Sequence, residues 1–335
     1  MKALRLLILF CCVTVTAHAQ SGLEELLRSG SQDASKLIQG YTEPVLKSLA
    51  FGLNQGWYNT AKPHSLLGFD LTFTGSAIFI PDDELFYNVA GLNLQNIDLV
   101  NPTDGQAPTI YGPDITPRYA YKAAPGVQFD GPPGIDPPKA FGRNIFPAPI
   151  AHLGIGLIKG TDVRIRFLPE VGFGDGNSAK LLGFGVMHDV KQYIPGIKAL
   201  PFDLSLFAAY TKMEARVNLE GTFASNGTEQ FGQYDVSAWT VQALISKKIA
   251  VLTVYGGVGY NAASTGLDIK GSYEITNPPP IGNLTLVDPV AISLSESSFR
   301  ATGGLRLKLA VFTLHADYTL QKRSIFSAGF GISVR

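Results

Sequence analysis

The residues best suited to chemistry in this chain are histidines close to carboxylates. His188 and Asp189 are adjacent, and a histidine beside a carboxylate is a familiar acid–base arrangement. Neighbouring residues of a strand point to opposite faces of a sheet, so these two side chains cannot form a dyad with each other. We therefore expect His188 and Asp189 to have a structural role or to lie at the rim of a sheet.

A second group of polar residues shares one parity near the end of the chain. His315 and Asp317 are two residues apart, so they face the same way on a strand. Arg300, Arg306 and Lys308 share one face of the preceding segment in the same manner. Two interpretations stay open. The residues could form a ladder of opposite charges that fills the interior of a small barrel, or a selectivity lining for an anionic solute.

Motifs of enzymes and of metal sites are missing from the sequence. We find no Gly-x-Ser-x-Gly elbow, no phosphate-binding loop, no His-Glu-x-x-His and no Cys/His spacing typical of a metal site. The 27 basic and 27 acidic residues balance, so no nucleic-acid-binding surface is indicated. We predict that the protein is not an enzyme and that it binds no metal, no cofactor and no nucleic acid.

The first 19 residues have the layout of a secretory signal peptide. A basic start is followed by an apolar stretch from Leu6 to Val15 and by Ala17-His-Ala19, a small-residue cleavage motif before Gln20. The apolar stretch is too short to cross a bilayer as a helix, which needs about 20 residues. Both cysteines, Cys11 and Cys12, lie inside it. A mature chain that starts at Gln20 would therefore carry no thiol and no disulfide.

Beyond His64 the apolar residues recur at every second position, which is the period of a β-strand. The alternation is clear from Phe69 to Phe79, and it returns repeatedly to the end of the chain. We count about ten such segments, joined by alternately short and long connections. Short turns are expected at residues 159–160, at 247–248 and around 310, and longer connections near 173–178, 219–232 and 264–296.

A soluble β-sandwich also alternates, but three features favour a barrel in lipid: the export signal, a last strand that reaches the terminus, and a polar face suited to a lumen. The charged content of 16% is also below the roughly 25% of soluble domains. Arginine or lysine on the lipid face near the midplane would cost about 2–4 kcal/mol. The residues expected to line the lumen instead are Asp70, Arg164, Arg166, Asp203, Arg300, Arg306, Lys308, His315 and Asp317.

The segment before the strands has helical spacing. Leu37, Tyr41, Val45 and Leu49 recur at every fourth position and form one apolar stripe. Because proline is costly in a helix interior, Pro44 predicts a short helix to about Tyr41, then a kink or restart. Two interpretations stay open: an amphipathic periplasmic lead, or a plug whose four-residue stripe docks into the barrel mouth.

A long stretch from Pro81 to Pro147 interrupts the strand pattern and is rich in proline, glycine, asparagine and aspartate. A loop of this length is uncommon unless it is functional or disordered. We expect it to lie outside the cell or to fold back over the barrel mouth as a lid.

Two parts of the sequence resemble an uncharacterised family of Gram-negative outer-membrane proteins. They are Gly52 to His64 with Leu67 to Phe73, and Gly185 to Gly196 with Leu200 to Asp203. More distantly, the helical lead and the segment Val163-Arg-Ile-Arg-Phe-Leu-Pro169 are similar to the long-chain fatty-acid transporter family. This second resemblance implies a route for hydrophobic molecules.

Together these observations predict an all-β protein, an antiparallel transmembrane β-barrel of about ten strands (range about 8–14) with a short N-terminal helical segment. The expected parts are a signal peptide at 1–19, a helical lead or plug at 20–62, and an outer-membrane barrel at 63–335 that contains the loop 81–147. The expected function is passive transport or binding of a small hydrophobic or amphiphilic molecule. The alternative is a non-transporting structural or surface-interaction protein. The expected partners are outer-membrane lipid, the small molecule and the barrel-assembly machinery.

Overall fold

The structure is a computed structural model that describes residues 23–136, 144–174, 176–220 and 226–334. The expected signal peptide at 1–19 lies outside the described residues. In the described part of the chain, no helix has the length and apolar character needed to cross a membrane.

Ten antiparallel strands close into one barrel in the described residues. In chain order they are β1 (Phe69–Phe79), β2 (Ile145–Gly156), β3 (Thr161–Phe173), β4 (Asn177–Asp189), β5 (Asp203–Asn218), β6 (Phe231–Ile249), β7 (Leu252–Lys270), β8 (Val290–Leu309), β9 (Phe312–Leu320) and β10 (Ile325–Val334). Each strand pairs with the next, and β10 pairs back onto β1 from Val334–Phe69 to Ile325–Ile78. The prediction of an all-β, antiparallel barrel of about ten strands with an N-terminal helix is confirmed.

The barrel is apolar outside and polar inside, because successive side chains of a strand point to opposite faces. In β9 the exposed large side chains are Phe312, Leu314, Tyr318 and Leu320, and the buried ones are Thr313, His315, Asp317 and Thr319. The same alternation runs through the neighbouring strands. The exterior therefore carries a band of the kind that faces lipid in membrane barrels.

The two ends of the barrel have different connections. One end, which we call the short-turn end, holds the start of β1, the end of β10 and the connections 157–160, 190–202, 250–251 and 310–311. The opposite end, the long-loop end, holds the connections 80–144, 174–176, 219–230, 271–289 and 321–324. The longest connections lie at the second end, as expected. The connection 190–202 at the short-turn end is longer than 321–324 at the other end, so the predicted alternation of short and long connections is only partly present.

Two of the predicted connections are misplaced. The turn expected at 247–248 lies at residues 250–251, and the connection near 264–296 shrinks to 271–289. At the connection expected near 173–178, one strand ends at Phe173 and the next begins at Asn177. For the turn at 250–251 and the connection 271–289 the cause is strand length: β6 and β7 have 19 residues each and β8 has 20, whereas about 9–11 suffice to cross a bilayer. The hydrogen-bonded pairing of these strands continues into segments where apolar and polar side chains no longer alternate, so the alternation marks only part of each strand.

The helix α1 (Ser31–Gly52) lies inside the barrel and runs unbroken through Pro44. The predicted end at Tyr41 and restart are therefore wrong. The carbonyl oxygen of Pro44 accepts hydrogen bonds from Ser48 Oγ at 2.7 Å and from Arg323 Nη1 at 3.1 Å. Burial of α1 against the barrel wall and the long loop offsets the roughly 3 kcal/mol that an interior proline costs.

The chain enters the barrel from the long-loop end. Leu26 and Leu27, just before α1, are buried against Tyr273 and Leu286 in the connection 271–289. At the C-terminal end of α1, Ala50 and Leu53 pack on inward-facing residues of β6 and β7. Residues 53–64 then continue to the short-turn end, where β1 begins. Helix α1 and residues 53–64 together therefore cross the lumen from one mouth to the other.

The connection 80–144 folds over the first half of α1. In its described part, a three-stranded sheet joins Ile97–Asn101, Arg118–Tyr121 and Ala124–Asp130. Asp33 of α1 accepts hydrogen bonds from the backbone N–H groups of Gln95 and Asn96 at 2.9 and 2.7 Å. We call this connection the cap. Burial raises the pKa of Tyr119, in the sheet of the cap, to about 12, so its hydroxyl stays protonated.

Two glycines give a test of the barrel wall. A Cβ added at Gly329 of β10 would overlap the backbone oxygen of Phe73 and the ring of His315, whereas one added at Gly303 of β8 would meet nothing within 4 Å. We expect Gly329→Ala to lower the free energy of unfolding by about 1–3 kcal/mol, as overpacking does. Gly303→Ala is the control and should change it little. Heat-dependent gel mobility of the folded barrel measures both, and equal midpoints would contradict this packing.

Candidate functional site

The candidate site is the barrel lumen, which α1 and residues 53–64 occupy. We call these two segments together the plug. Residues 53–64 have no regular secondary structure, yet Leu53, Asn54, Gln55 and Trp57 are each at most 4% exposed. Buried irregular backbone must find hydrogen-bond partners, because unpaired buried polar groups are costly. The wall of the barrel supplies those partners.

Three wall arginines donate to backbone carbonyls of the plug. Arg166 of β3 donates to Leu53 O at 2.7 Å and also to Gln55 O. Arg300 of β8 donates to Asn54 O at 2.9 Å, and Arg164 of β3 donates to the carbonyl of Trp57. The carbonyl of Leu53, the C-cap of α1, lacks a partner within the helix, and the carbonyls of Asn54, Gln55 and Trp57 belong to irregular backbone beyond it. Cationic donors are therefore well matched to the plug where α1 ends.

The Trp57 ring adds a second contact to this group. The Arg166 guanidinium lies 3.5 Å from the centroid of the ring. A desolvated guanidinium over a tryptophan face is stabilised by about 2 kcal/mol or more. The ring also packs against Phe207 of β5, with the centroids 5.9 Å apart. Trp57 thus packs this part of the plug against neighbouring strands on one side of the barrel.

Positive charge exceeds its ion-pair partners inside the lumen. Arg164 pairs with Asp162 at 3.2 Å, with both side chains buried. Arg166, Arg300 and Arg306 have no carboxylate within ion-pair distance among the described residues. A buried charge is costly unless it is paired or hydrogen-bonded. For Arg166 and Arg300 the carbonyl oxygens of the plug take the place of a counter-ion.

A second contact fixes the plug near the short-turn end. Asp70 of β1 bonds to His64 of the plug, with 2.7 Å between Oδ1 and Nε2. Its other oxygen lies 3.1 Å from His152 Nε2 and accepts from Thr72 Oγ1 at 2.7 Å. A Cβ at Gly154 would overlap Asp70, so glycine leaves the space for this carboxylate. Asp70 therefore ties the plug to β1 and β2 together.

Tyr58 connects the plug to a third part of the wall. Its hydroxyl donates to Gln242 Oε1 of β6 at 2.6 Å, and its ring lies edge-on to that of Tyr255, with the centroids 6.2 Å apart. The Tyr255 hydroxyl in turn donates to Asp317 of β9 at 2.9 Å. The wall contacts of the plug therefore extend around most of the barrel.

All nine residues expected to line the lumen face inward. Asp203 and Lys308 are half-buried, and the others are buried: Asp70, Arg164, Arg166, Arg300, Arg306, His315 and Asp317. Several of them contact the plug rather than an open channel. In the expected stripe of the plug, Leu37 and Tyr41 are buried, and Val45 and Leu49 are partly buried against β1, β2 and the cap.

Several residues of the site were not predicted. They are the plug residues Trp57, Tyr58 and His64 and the wall residues His152, Asp162 and Tyr255. Residues 53–64 have no period, and the sequence distinguishes them only through the family resemblance of Gly52 to His64, which assigns them no contacts. His188 bonds to Thr161 at 2.7 Å and to Tyr193 at 3.1 Å, and Asp189 accepts from the Lys191 N–H at 2.9 Å. The two do not form a dyad.

The described residues hold no group of three or more histidine, cysteine, aspartate or glutamate side chains that could bind a metal ion. The arrangement is instead suited to holding a peptide segment inside a barrel through cationic donors.

The arginine contacts give a test of the plug. Lysine at position 166 cannot donate to two carbonyls and also lie flat on Trp57, so we expect Arg166→Lys to lower the free energy of unfolding by about 1.5–3 kcal/mol. The control is Arg118→Lys in the cap, where an exposed pair with Asp130 at 2.9 Å contributes less than about 1 kcal/mol. Trp57 fluorescence in a Trp239→Phe background follows unfolding by denaturant. Equal losses in the two variants would contradict the assigned contacts.

Comparison with solved structures finds outer-membrane proteins at low similarity. Ail, the attachment invasion locus protein of Yersinia pestis, in complex with sucrose octasulfate, is 9% identical, with 80% of this chain and 99% of that chain covered and a TM-score of 0.27. The translocator domain of autotransporter NalP from Neisseria meningitidis is 10% identical, with 92% and 99% covered and a TM-score of 0.29. The P. putida toluene transporter TodX is 8% identical, with 79% and 88% covered and a TM-score of 0.21. Function must therefore be argued from the residues of this chain.

No curated protein matches the sequence. A family model does match it, over residues 1–334, and its description is a family of unknown function, DUF6588. Because this model spans almost the whole sequence, the chain belongs to the family of unknown function DUF6588.

Proposed function

We propose that the protein is an outer-membrane β-barrel that binds a small amphiphilic molecule in its lumen and lets it pass when the plug is displaced. The observation that carries the proposal is the set of hydrogen bonds from Arg164, Arg166 and Arg300 to backbone carbonyls of the plug. These bonds between the plug and strands β3 and β8 are non-covalent, so they can be exchanged. A solute that offers other acceptors to the same arginines can replace them.

The exterior of the barrel supports a place in a membrane. Large apolar side chains such as Phe167, Phe299 and Phe330 are 60–81% exposed. Soluble monomers rarely expose contiguous apolar patches above a few hundred Å². Short turns at the end that holds the C-terminus are typical of the periplasmic side of outer-membrane barrels. The long-loop end, with the cap, would then face the outside of the cell.

The occupied lumen supports a gated route rather than an open pore. A void between α1 and the wall strands β7 and β8, beside Ala50, Phe51 and Ala263, leaves almost no space for even a water molecule. Ligand pockets usually measure about 300–1,000 Å³. A solute of ordinary size therefore needs the plug to move. Since buried arginines without acceptors are costly, displacement is favoured by a solute that replaces the lost carbonyls.

One observation favours the alternative, a non-transporting surface protein. The cap and the plug share one continuous hydrophobic cluster, which includes Leu37, Ile97 and Tyr119. Such packing would also suit a rigid outer surface that presents its loops to a partner. The two functions differ in whether the plug must move.

A disulfide that locks the plug separates the two functions. A Cβ at Gly52 would lie 3.1 Å from Ala148 Cβ, a few tenths of an ångström short of the roughly 3.5–4.5 Å found in disulfides. We expect proteoliposomes with Gly52→Cys/Ala148→Cys to take up radiolabelled hexyl phosphate or hexyl glucoside when reduced and to lose this uptake when oxidised. Each single cysteine variant is the control for oxidation itself. If neither probe enters through the wild type or through a variant without residues 20–60, the transport proposal fails.

The proposed orientation has its own test. Gln32, at the start of α1, and Lys248, near the short-turn end of β6, are both exposed. We expect a membrane-impermeant maleimide to label Gln32→Cys on intact cells and to label Lys248→Cys only after the outer membrane is permeabilised. Wild type is the background control, because both cysteines of the sequence lie within residues 1–19. Labelling in the reverse order would contradict the orientation.

A further inference from the structure

A group of polar side chains on β8 and β9 has donors that nothing in the described residues accepts. Arg306 lies directly opposite His315 across the two strands, and Lys308 lies opposite Thr313. All four residues face the lumen near the short-turn end. Arg306, Thr313 and His315 are 8%, 2% and 5% exposed. The four residues therefore form one compact patch on the inner wall.

Three atoms of this patch are buried and without partners. They are Arg306 Nε, His315 Nδ1 and Thr313 Oγ1. His315 uses its other ring nitrogen, Nε2, which lies 3.2 Å from Thr74 Oγ1. When the Thr74 hydroxyl donates to Nε2, the ring proton lies on Nδ1 and has no acceptor. Buried polar groups in native proteins are rarely left unpaired, so unpaired donors at neighbouring positions need an explanation.

The electrostatic surroundings favour a negative partner. The positive charges of Arg306, Lys62 and Lys248 lie close enough to Lys308 to repel its ammonium group, and the carboxylate of Asp70 lies close enough to attract it. Asp70 is already engaged by His64, His152 and Thr72. Among the described residues, Lys308 donates only to Ser333 Oγ, at 3.3 Å. Cations thus outnumber free carboxylates at this mouth of the lumen, which attracts anions from solution.

We propose that Arg306, Lys308, Thr313 and His315 bind an oxyanion, either a free one or the phosphate, sulfate or carboxylate head group of an amphiphile. An oxyanion has several acceptor lone pairs, and guanidinium and ammonium groups are its usual partners in proteins. The proposal deepens the proposed function, on which it rests, by assigning the charge of the solute. The patch lies near the short-turn end of the plug, next to the contact between Asp70 and His64. An anion bound there would therefore lie beside the point where the plug is attached to the wall.

Binding of defined probes to purified protein in neutral detergent tests the site. We expect calorimetry to detect binding of hexyl phosphate and no binding of hexyl glucoside. Arg306→Gln/Lys308→Gln should weaken the binding of hexyl phosphate by about tenfold or more, which corresponds to the loss of one or more charge-assisted hydrogen bonds. Arg118→Gln in the cap removes a cation outside the lumen and should leave the affinity unchanged. Lys308→Gln alone is a second variant that alters only a half-buried side chain, and it should weaken binding in the same direction.

Inorganic phosphate distinguishes the two sources of the anion. Binding of both inorganic phosphate and hexyl phosphate assigns a site for free oxyanions, and binding of hexyl phosphate alone assigns a site for a head group. Either result supports the site, provided that the Arg306 and Lys308 variants weaken it. Absence of binding to wild type, or equal affinities in wild type and Arg306→Gln/Lys308→Gln, overturns the inference. Failure of the proposed function is distinct, because it would appear as binding without uptake through the unlocked barrel.

Discussion

The structure depends on how a closed sheet accommodates buried positive charge. Successive side chains of a strand point to opposite faces, so charged strand residues that do not lie on the apolar exterior face the lumen. Arg164, Arg166 and Arg300 are almost fully buried there. Of these three, only Arg164 has a carboxylate partner in the part of the chain that the structure describes, so the other two need neutral acceptors. The plug supplies them as backbone carbonyls at the point where α1 ends. The wall and the plug therefore stabilise each other. Without the plug the wall arginines would be buried without acceptors, and without the arginines the plug carbonyls would be buried without donors.

This mutual dependence explains features that look separate in the sequence. Pro44 is tolerated in α1 because the helix is held by its surroundings, including the bond from Arg323 to the Pro44 carbonyl. The cap covers the other end of the helix through Asp33 and a shared apolar cluster. The lumen is thereby filled from one mouth to the other. A solute that enters must exchange acceptors with the plug, which relates the charge of the lumen to its gating.

The barrel and the inward position of its charged residues could be predicted because the two-residue period is a local property of the sequence. The alternation within each strand shows which residues share a face. Asp70, Arg300 and His315 were assigned to the lumen on parity alone. The course of residues 53–64 could not be predicted, since irregular backbone has no period and its partners lie on strands far along the chain. The continuity of the helix through Pro44 was not predicted for a related reason: Pro44 is unfavourable by local propensity, and tertiary packing overrides that preference. The ends of β6 to β8 were misplaced because backbone pairing outlasts the apolar alternation.

Hydrogen exchange of the backbone amides of residues 53–61, measured by mass spectrometry on the folded protein, tests the central claim most directly. These residues are buried, with Gln55 and Trp57 each 1% exposed. If the wall arginines hold the plug, the segment exchanges as slowly as the barrel strands in wild type and much faster in Arg166→Gln/Arg300→Gln, while the strands keep their protection. Rapid exchange of residues 53–61 in wild type, at the rate of an exposed loop, would contradict the account.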